Sequence, residues 1–261
     1  MNISLPFIPE RSSRPRQTGI TMMMDKGLSI RETEDFIETC APFTDLVKFG
    51  FGTSLITNKL TDKIKLYKQA GIKPYFGGTL FEAFVIRGLF EDYLRFIEKY
   101  QLDTVEVSDG SMHMEEDTKL GFIAKLSQNF TVLSEVGSKQ KGVVIPPETW
   151  GECMKKELSA GAWKVIAEAR ESGTVGIYNC NGTANEELIN MISKHVASDN
   201  ILWEAPNGKQ QVYFIELYGP EVNLGNIATH DVIPLECLRL GLRGDTFFTF
   251  LPEELQKFRP S

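Results

Sequence analysis

Eight times along this chain a short, β-rich run stops at a charged or polar residue followed by glycine or another small residue, and helical patterning separates one run from the next. The endings are TMMMDKG at 21–27, LVKFGFGTS at 46–54, YFGGT at 75–79, VEVSDG at 105–110, VLSEVGSK at 132–139, GIYNCNG at 176–182, LWEAP at 202–206 and VIPLECLR at 232–239. Strands that are apolar on both faces and alternate with helices imply a parallel sheet covered by helices. If that sheet closes into a barrel, all strand ends share one face, the face on which barrel enzymes work. Asp25, Lys48, Glu106, Asp109, Glu135, Lys139, Glu204, Glu236 and Arg239 would then gather there.

The 261 residues suit one α/β domain of the (β/α)8 TIM-barrel class. Residues 1–17, rich in Pro, Arg and Ser, read as an extended N-terminal arm, and 18–261 as the barrel. Strands are predicted at 18–24, 45–49, 73–77, 103–107, 130–136, 174–179, 200–204 and 231–235. The long gap at 147–171 reads as two helical segments, and YGPEVNLGN at 218–226 as a Gly- and Asn-rich loop. Ser29 with Glu32, and Thr183 with Glu186, have capping-box spacing. A doubly wound open sheet would show the same alternation, but neither GxGxxG nor GxxxxGKS/T follows the first strand.

The formal charge of −7 offers no basic stripe for nucleic acid, so an anionic ligand would need locally concentrated cations. No run approaches the ~20 apolar residues of a membrane span, and the N-terminus lacks the apolar core of a secretory signal. Four cysteines without a CxxC pair fit free thiols in a reducing cytoplasm. The histidines His113, His195 and His230 are scattered, which argues against zinc.

Period-2 alternation places Glu106 and Ser108 on one face of the fourth strand and Glu135 on the face of Leu133 in the fifth. If both carboxylates enter the mouth, hard oxygen donors on neighbouring strand ends suit Mg2+, with Asp109 and Asp25 as further candidate ligands. Lys139, Lys48 and Lys26 each offer a general acid, a general base or a charge clamp. The loop carrying Asn223, Gly225 and Asn226, together with Arg239 and Arg243, lies where barrels commonly bind phosphate.

The segments PERSSRPRQTGITMMMDKG, VKFGFGTS, VEVSDG, LSEVGSK and GLRGDTF, in that order, resemble the phosphosulfolactate synthase family over nearly the whole chain. The resemblance implies a (β/α)8 barrel that uses Mg2+ to add sulfite to phosphoenolpyruvate, giving 2-O-phospho-3-sulfolactate for coenzyme M or other sulfonates. In that chemistry Glu106 and Glu135 would hold the metal and Lys139 would protonate carbon 2. Arg239, Arg243 and the neighbouring loop would hold phosphate, and Lys48 and Lys26 sulfite or the carboxylate. The expected partners are these small anions, with no nucleic acid or membrane, and the expected assembly is a homo-oligomer. Two other readings stay open: a Schiff-base aldolase-like barrel using Lys139 or Lys48, and a non-catalytic barrel acting by protein association, like the plant heat-stress-associated members of the family.

Overall fold

The computed structural model describes residues 3–137, 145–170 and 172–260. Its strands are β1 (Thr21–Asp25), β2 (Leu46–Phe49), β3 (Lys73–Phe76), β4 (Thr104–Val107), β5 (Thr131–Val136), β6 (Lys164–Ala167), β7 (Ile201–Glu204) and β8 (Leu224–Ile227). All pair in parallel in one sheet of order β3-β2-β1-β8-β7-β6-β5-β4. The sheet therefore curls round to a nearly closed (β/α)8 barrel, with β3 and β4 facing each other across the seam. The helices are α1 (Ile30–Cys40), α2 (Leu60–Gln69), α3 (Gly78–Val85), α4 (Phe90–Lys99), α5 (Glu116–Leu126), α6 (Pro147–Ser159), α7 (Glu186–His195), α8 (Gly208–Tyr218) and α9 (Val232–Arg239). Among the described residues, no helix is long and apolar enough to cross a membrane.

Side-chain alternation sorts each strand into two environments. Ile20, Met22, Leu46, Tyr75, Leu133, Ile166 and Leu202 form one buried cluster, which fills the barrel. Met23, Val47, Phe49, Val105, Val132, Val165 and Trp203 belong to a second cluster, between sheet and helices. Two residues beyond Leu46, Leu133, Ile166 and Leu202 come Lys48, Glu135, Glu168 and Glu204, all buried. The polar mouth is thus the next inward layer above an apolar plug.

Two predicted strands lie elsewhere. The sixth is Lys164–Ala167, inside the stretch read as helical, and 174–179 is irregular, with one bridge from Tyr178 to Ala184. Four residues buried on both faces carry no periodicity to separate strand from helix. The eighth is Leu224–Ile227, the supposed phosphate loop, and the predicted strand at 231–235 falls in α9. Its composition hid it, since Gly and Asn are poor strand formers. Packing requires the glycine: a Cβ on Gly225 would come within 2.8 Å of Met22 Cε. Helix starts divide likewise. Ser29 and Glu32 form both bonds of a capping box, whereas α7 is capped by Asn185, which accepts from Leu188 N, rather than by Thr183.

The N-terminal arm packs under the opposite end of the barrel. Arg11 pairs with Glu221 and Glu236 and donates to Gly19 O, and Arg16 pairs with Asp45 at 3.1 Å. Arg14 donates to the carbonyls of Ala41, Ala70 and Gly71. These arginines satisfy carbonyls left bare where helices end and strands begin.

Candidate active site

The mouth opens on a cavity of about 390 Å³ whose lining includes Lys48, Glu106, Glu135, Glu168, Glu204 and Asn226. Lys48 is its centre. The ammonium lies 3.1 Å from Glu106 Oε1, 3.3 Å from Glu135 Oε2 and 3.4 Å from Glu204 Oε1. Burial by itself would lower the Lys48 pKa, but Glu106, Glu135 and Glu204 together outweigh it and hold the value well above that of an ordinary lysine.

Each carboxylate is fixed by the fold. Glu106 Oε1 accepts from Gly78 N across the β3–β4 seam. A side chain at Gly78 would collide there, since its Cβ would fall 2.3 Å from Ser108 Cβ. Ser108 Oγ bridges two carboxylates, at 2.8 Å from Glu135 Oε1 and 2.5 Å from Glu82 Oε1, and Glu82 Oε2 accepts from Ser111 N. Glu204 Oε2 accepts from Ala169 N at 2.7 Å, and Asn226 Nδ2 donates to Ala169 O. Tyr75 forms part of the floor, its phenol held protonated by burial and by the nearby charge of Glu106.

Glu135, Glu168 and Glu204 present oxygen atoms that all lie within 4.8 Å of one another. Carboxylates this close repel one another when all are charged. Burial, and then the charge of Glu135, push Glu204 up to about 7 despite the opposing pull of Lys48. Either a proton or a bound cation relieves such crowding.

A carboxyl raised in the folded state keeps a proton that the unfolded chain has released, so folding stability falls as pH rises through that interval. For Glu204 the interval runs from its ordinary 4.5 to about 7. Glu157, raised mainly by burial, adds a slope of the same sign. Metal-free protein should therefore melt at progressively lower temperature from about pH 5 to 7, and Glu204→Gln should flatten the slope without abolishing it. Identical slopes in mutant and wild type would remove Glu204 as its source.

The other expected site residues are dispersed. Lys139 lies outside the described residues. Lys26 is exposed at the rim beyond β1. Asp25 is fully buried, paired with Lys63 at 2.7 Å, bonded by Tyr67 Oη, and capped by the N–H groups of Gly27 and Leu28. Its oxygens are committed to holding α2 and the turn after β1, which does not suit a metal ligand. Asp109 turns to Lys119 at 2.8 Å, and Lys119 also reaches Glu157 and Glu135 O, which places Asp109 beside α5 and α6.

The expected phosphate group separates further. Arg239 is fully buried at the far end of the barrel, donating to Pro220 O, Val222 O and Ile20 O just ahead of β8 and β1. Asn223 is at the same end, accepting from Ile20 N and donating to Ile201 O. Glu236, expected at the mouth, pairs there with Arg11. Gly225 faces the packed interior, and of that loop only Asn226 lines the cavity. Arg243 is exposed, paired with Asp245 at 3.3 Å.

Glu168, Arg170 and Ser172 line the cavity from the end of β6, and sequence reading missed them because that strand was misplaced. Glu82 was missed because it lies within an apolar helical stripe. The signal available for Glu168 was its position two residues beyond Ile166, once the strand is known.

Known proteins resemble this chain over nearly its whole length. Phosphosulfolactate synthase from Bacillus subtilis is 41% identical over 244 residues, covering 92% of this chain and 97% of that protein. The Methanocaldococcus jannaschii enzyme of that name is 41% identical over 237 residues, covering 88% and 94%. The Arabidopsis thaliana protein HEAT-STRESS-ASSOCIATED 32 is 22% identical, covering 88% of each chain. The solved 3-hexulose-6-phosphate synthase from Salmonella typhimurium shares the fold, with a TM-score of 0.55 at 14% identity, covering 86% of this chain and 100% of that one. The family model for (2R)-phospho-3-sulfolactate synthase matches residues 9–245, and this chain belongs to that family.

Proposed function

We propose that the chain is a phosphosulfolactate synthase, a carbon–sulfur lyase acting in the cytoplasm as a homo-oligomer. It would join sulfite to carbon 3 of phosphoenolpyruvate to give (2R)-2-O-phospho-3-sulfolactate. The observation that carries this reading is near-full-length similarity to proteins of that name, together with a mouth that sets a permanently charged lysine among carboxylates.

The sulfur lone pair attacks carbon 3, and the double-bond electrons move toward carbon 2 and the carboxylate. A proton then closes carbon 2, with the phosphate ester intact throughout. Lys48 places a fixed cation where that charge develops, without reorganising at the moment of reaction. Glu106 and Glu135 orient it. Arg170, which lines the cavity, would receive the phosphate. Lys139 is the proposed donor of the proton to carbon 2.

The residues at the mouth fit Mg2+. Glu135, Glu168 and Glu204 supply clustered hard oxygens, and they are the residues that would hold it. When bound, the ion would supply Lewis-acid stabilisation of the carboxylate. This moves the expected ligand set from Glu106 and Glu135 to Glu135 and its neighbours on β6 and β7. Glu106 instead serves as the nearest partner of Lys48.

The Schiff-base reading requires a neutral amine as nucleophile, and the carboxylates around Lys48 hold it charged. The direct test is incubation with phosphoenolpyruvate, sulfite and Mg2+, with and without chelator, followed by product mass. A sulfonate that retains phosphorus and forms only without chelator is expected. Borohydride inactivation in the presence of substrate, with no sulfonate formed, would favour the Schiff base. Lys139→Ala should lose about 10²–10⁴-fold in turnover while still binding phosphoenolpyruvate by calorimetry. Lost binding with an unchanged maximal rate would make Lys139 a charge clamp instead.

A further inference from the structure

The cavity has two unlike walls. On one side stand Glu135, Glu168 and Glu204 at the ends of β5, β6 and β7. On the β1–β2 side stand Met24 and Phe51, its large apolar lining residues. Phe51 sits between Gly50 and Gly52 with φ +53, a left-handed conformation that a phenylalanine rarely adopts. It is 45% exposed, so packing does not account for keeping an aromatic ring there. Gly50 lies directly on Met24, where an added Cβ would be 3.0 Å from Sδ, so the turn seats tightly on that side chain. Backbone held in a costly region, presenting a side chain into a cavity, is a mark of functional sites.

Phosphoenolpyruvate is planar around its double bond, with the carboxyl carbon and the ester oxygen in that plane. The charged wall suits the carboxylate, while the π-faces and the terminal CH2 are the parts that an apolar wall can cover. Resting on the function proposed above, we infer that Phe51, backed by Met24, covers one face of the enol plane and so sets the configuration formed at carbon 2. Water is kept from the covered face, and the proton arrives only from the open one. Phe51 is a specificity-determining residue in this scheme. It touches substrate but exchanges no proton.

The test is the stereochemical composition of the sulfonate made in D2O by wild type, Phe51→Ala and Phe51→Leu, resolved by chiral chromatography, alongside kcat and KM. Wild type and Phe51→Leu should give one configuration. Phe51→Ala should give a mixture of both, and its kcat/KM should fall roughly tenfold or more through the lost apolar contact. A merely structural role would change rate or stability and leave configuration untouched. A single configuration from Phe51→Ala, at whatever rate, overturns the inference while leaving the functional reading in place. A wild-type chain that forms no sulfonate overturns the functional reading and this assignment with it.

Discussion

Lys48→Met should abolish most turnover and destabilise the protein at neutral pH. The ammonium is the shared partner of Glu106, Glu135 and Glu204, and all four side chains are buried. Removing one member of a buried ion cluster leaves uncompensated charge, typically at a cost of about 3–5 kcal/mol. Part of that cost should be recovered at lower pH, where the stranded carboxylates take up protons. A divalent cation should also stabilise the mutant more than the wild type, because it would replace the missing charge. Loss of a preorganised group facing developing negative charge costs about 10²–10³-fold in kcat. Urea unfolding at pH 5.5 and 7.5, with and without Mg2+, measures the first effect, and steady-state turnover the second. Wild-type turnover in the mutant would take Lys48 out of the chemistry, and unchanged stability at both pH values would mean that the cluster is not electrostatically coupled as its distances imply.

Arg239→Ala should unfold readily and leave the Michaelis constant for phosphoenolpyruvate unchanged. The guanidinium is fully enclosed and donates to three backbone carbonyls, those of Pro220, Val222 and Ile20. Each carbonyl left without a donor costs about 1–3 kcal/mol, and the vacated space adds a cavity penalty. The three carbonyls together put the expected loss at roughly 3–9 kcal/mol, less whatever water recovers. Arg239→Lys should fall between, because one ammonium cannot reproduce the fork of a guanidinium. Denaturant midpoints for the three proteins provide the measurement. A variant of unchanged stability with a raised Michaelis constant would return Arg239 to the substrate site.

Phosphate binding was a reasonable expectation for Arg239, and the reason it failed marks the limit of sequence reading. Its role depended on which residues form the last strand. With β8 at Leu224–Ile227 rather than 231–235, Arg239 moves from a strand end to the end of α9, half a turn of the βα cycle away and on the opposite face. The same kind of shift concealed Glu168, because β6 begins at Lys164 rather than ten residues later.

What the sequence determined by itself rests on local period. The βα alternation, the positions of six strands, the Ser29 cap, and the pairing of Glu106 with Ser108 and of Glu135 with Leu133 on one strand face each follow from alternation within one element and the residues that stop it. Tertiary structure decided the rest. The choice of Gly225 and Asn226 as strand rather than loop depends on the tight approach of Met22 and Leu202 across the barrel. Glu82 holds Ser108 and Ser111 because α3 packs against the end of β4, where they meet it. Asp25 leaves the mouth because Lys63 and Tyr67 of α2 hold it. A carboxylate at a strand end can face a metal, a lysine or a helix, and its neighbours in space choose among them through charge and burial that no single segment contains.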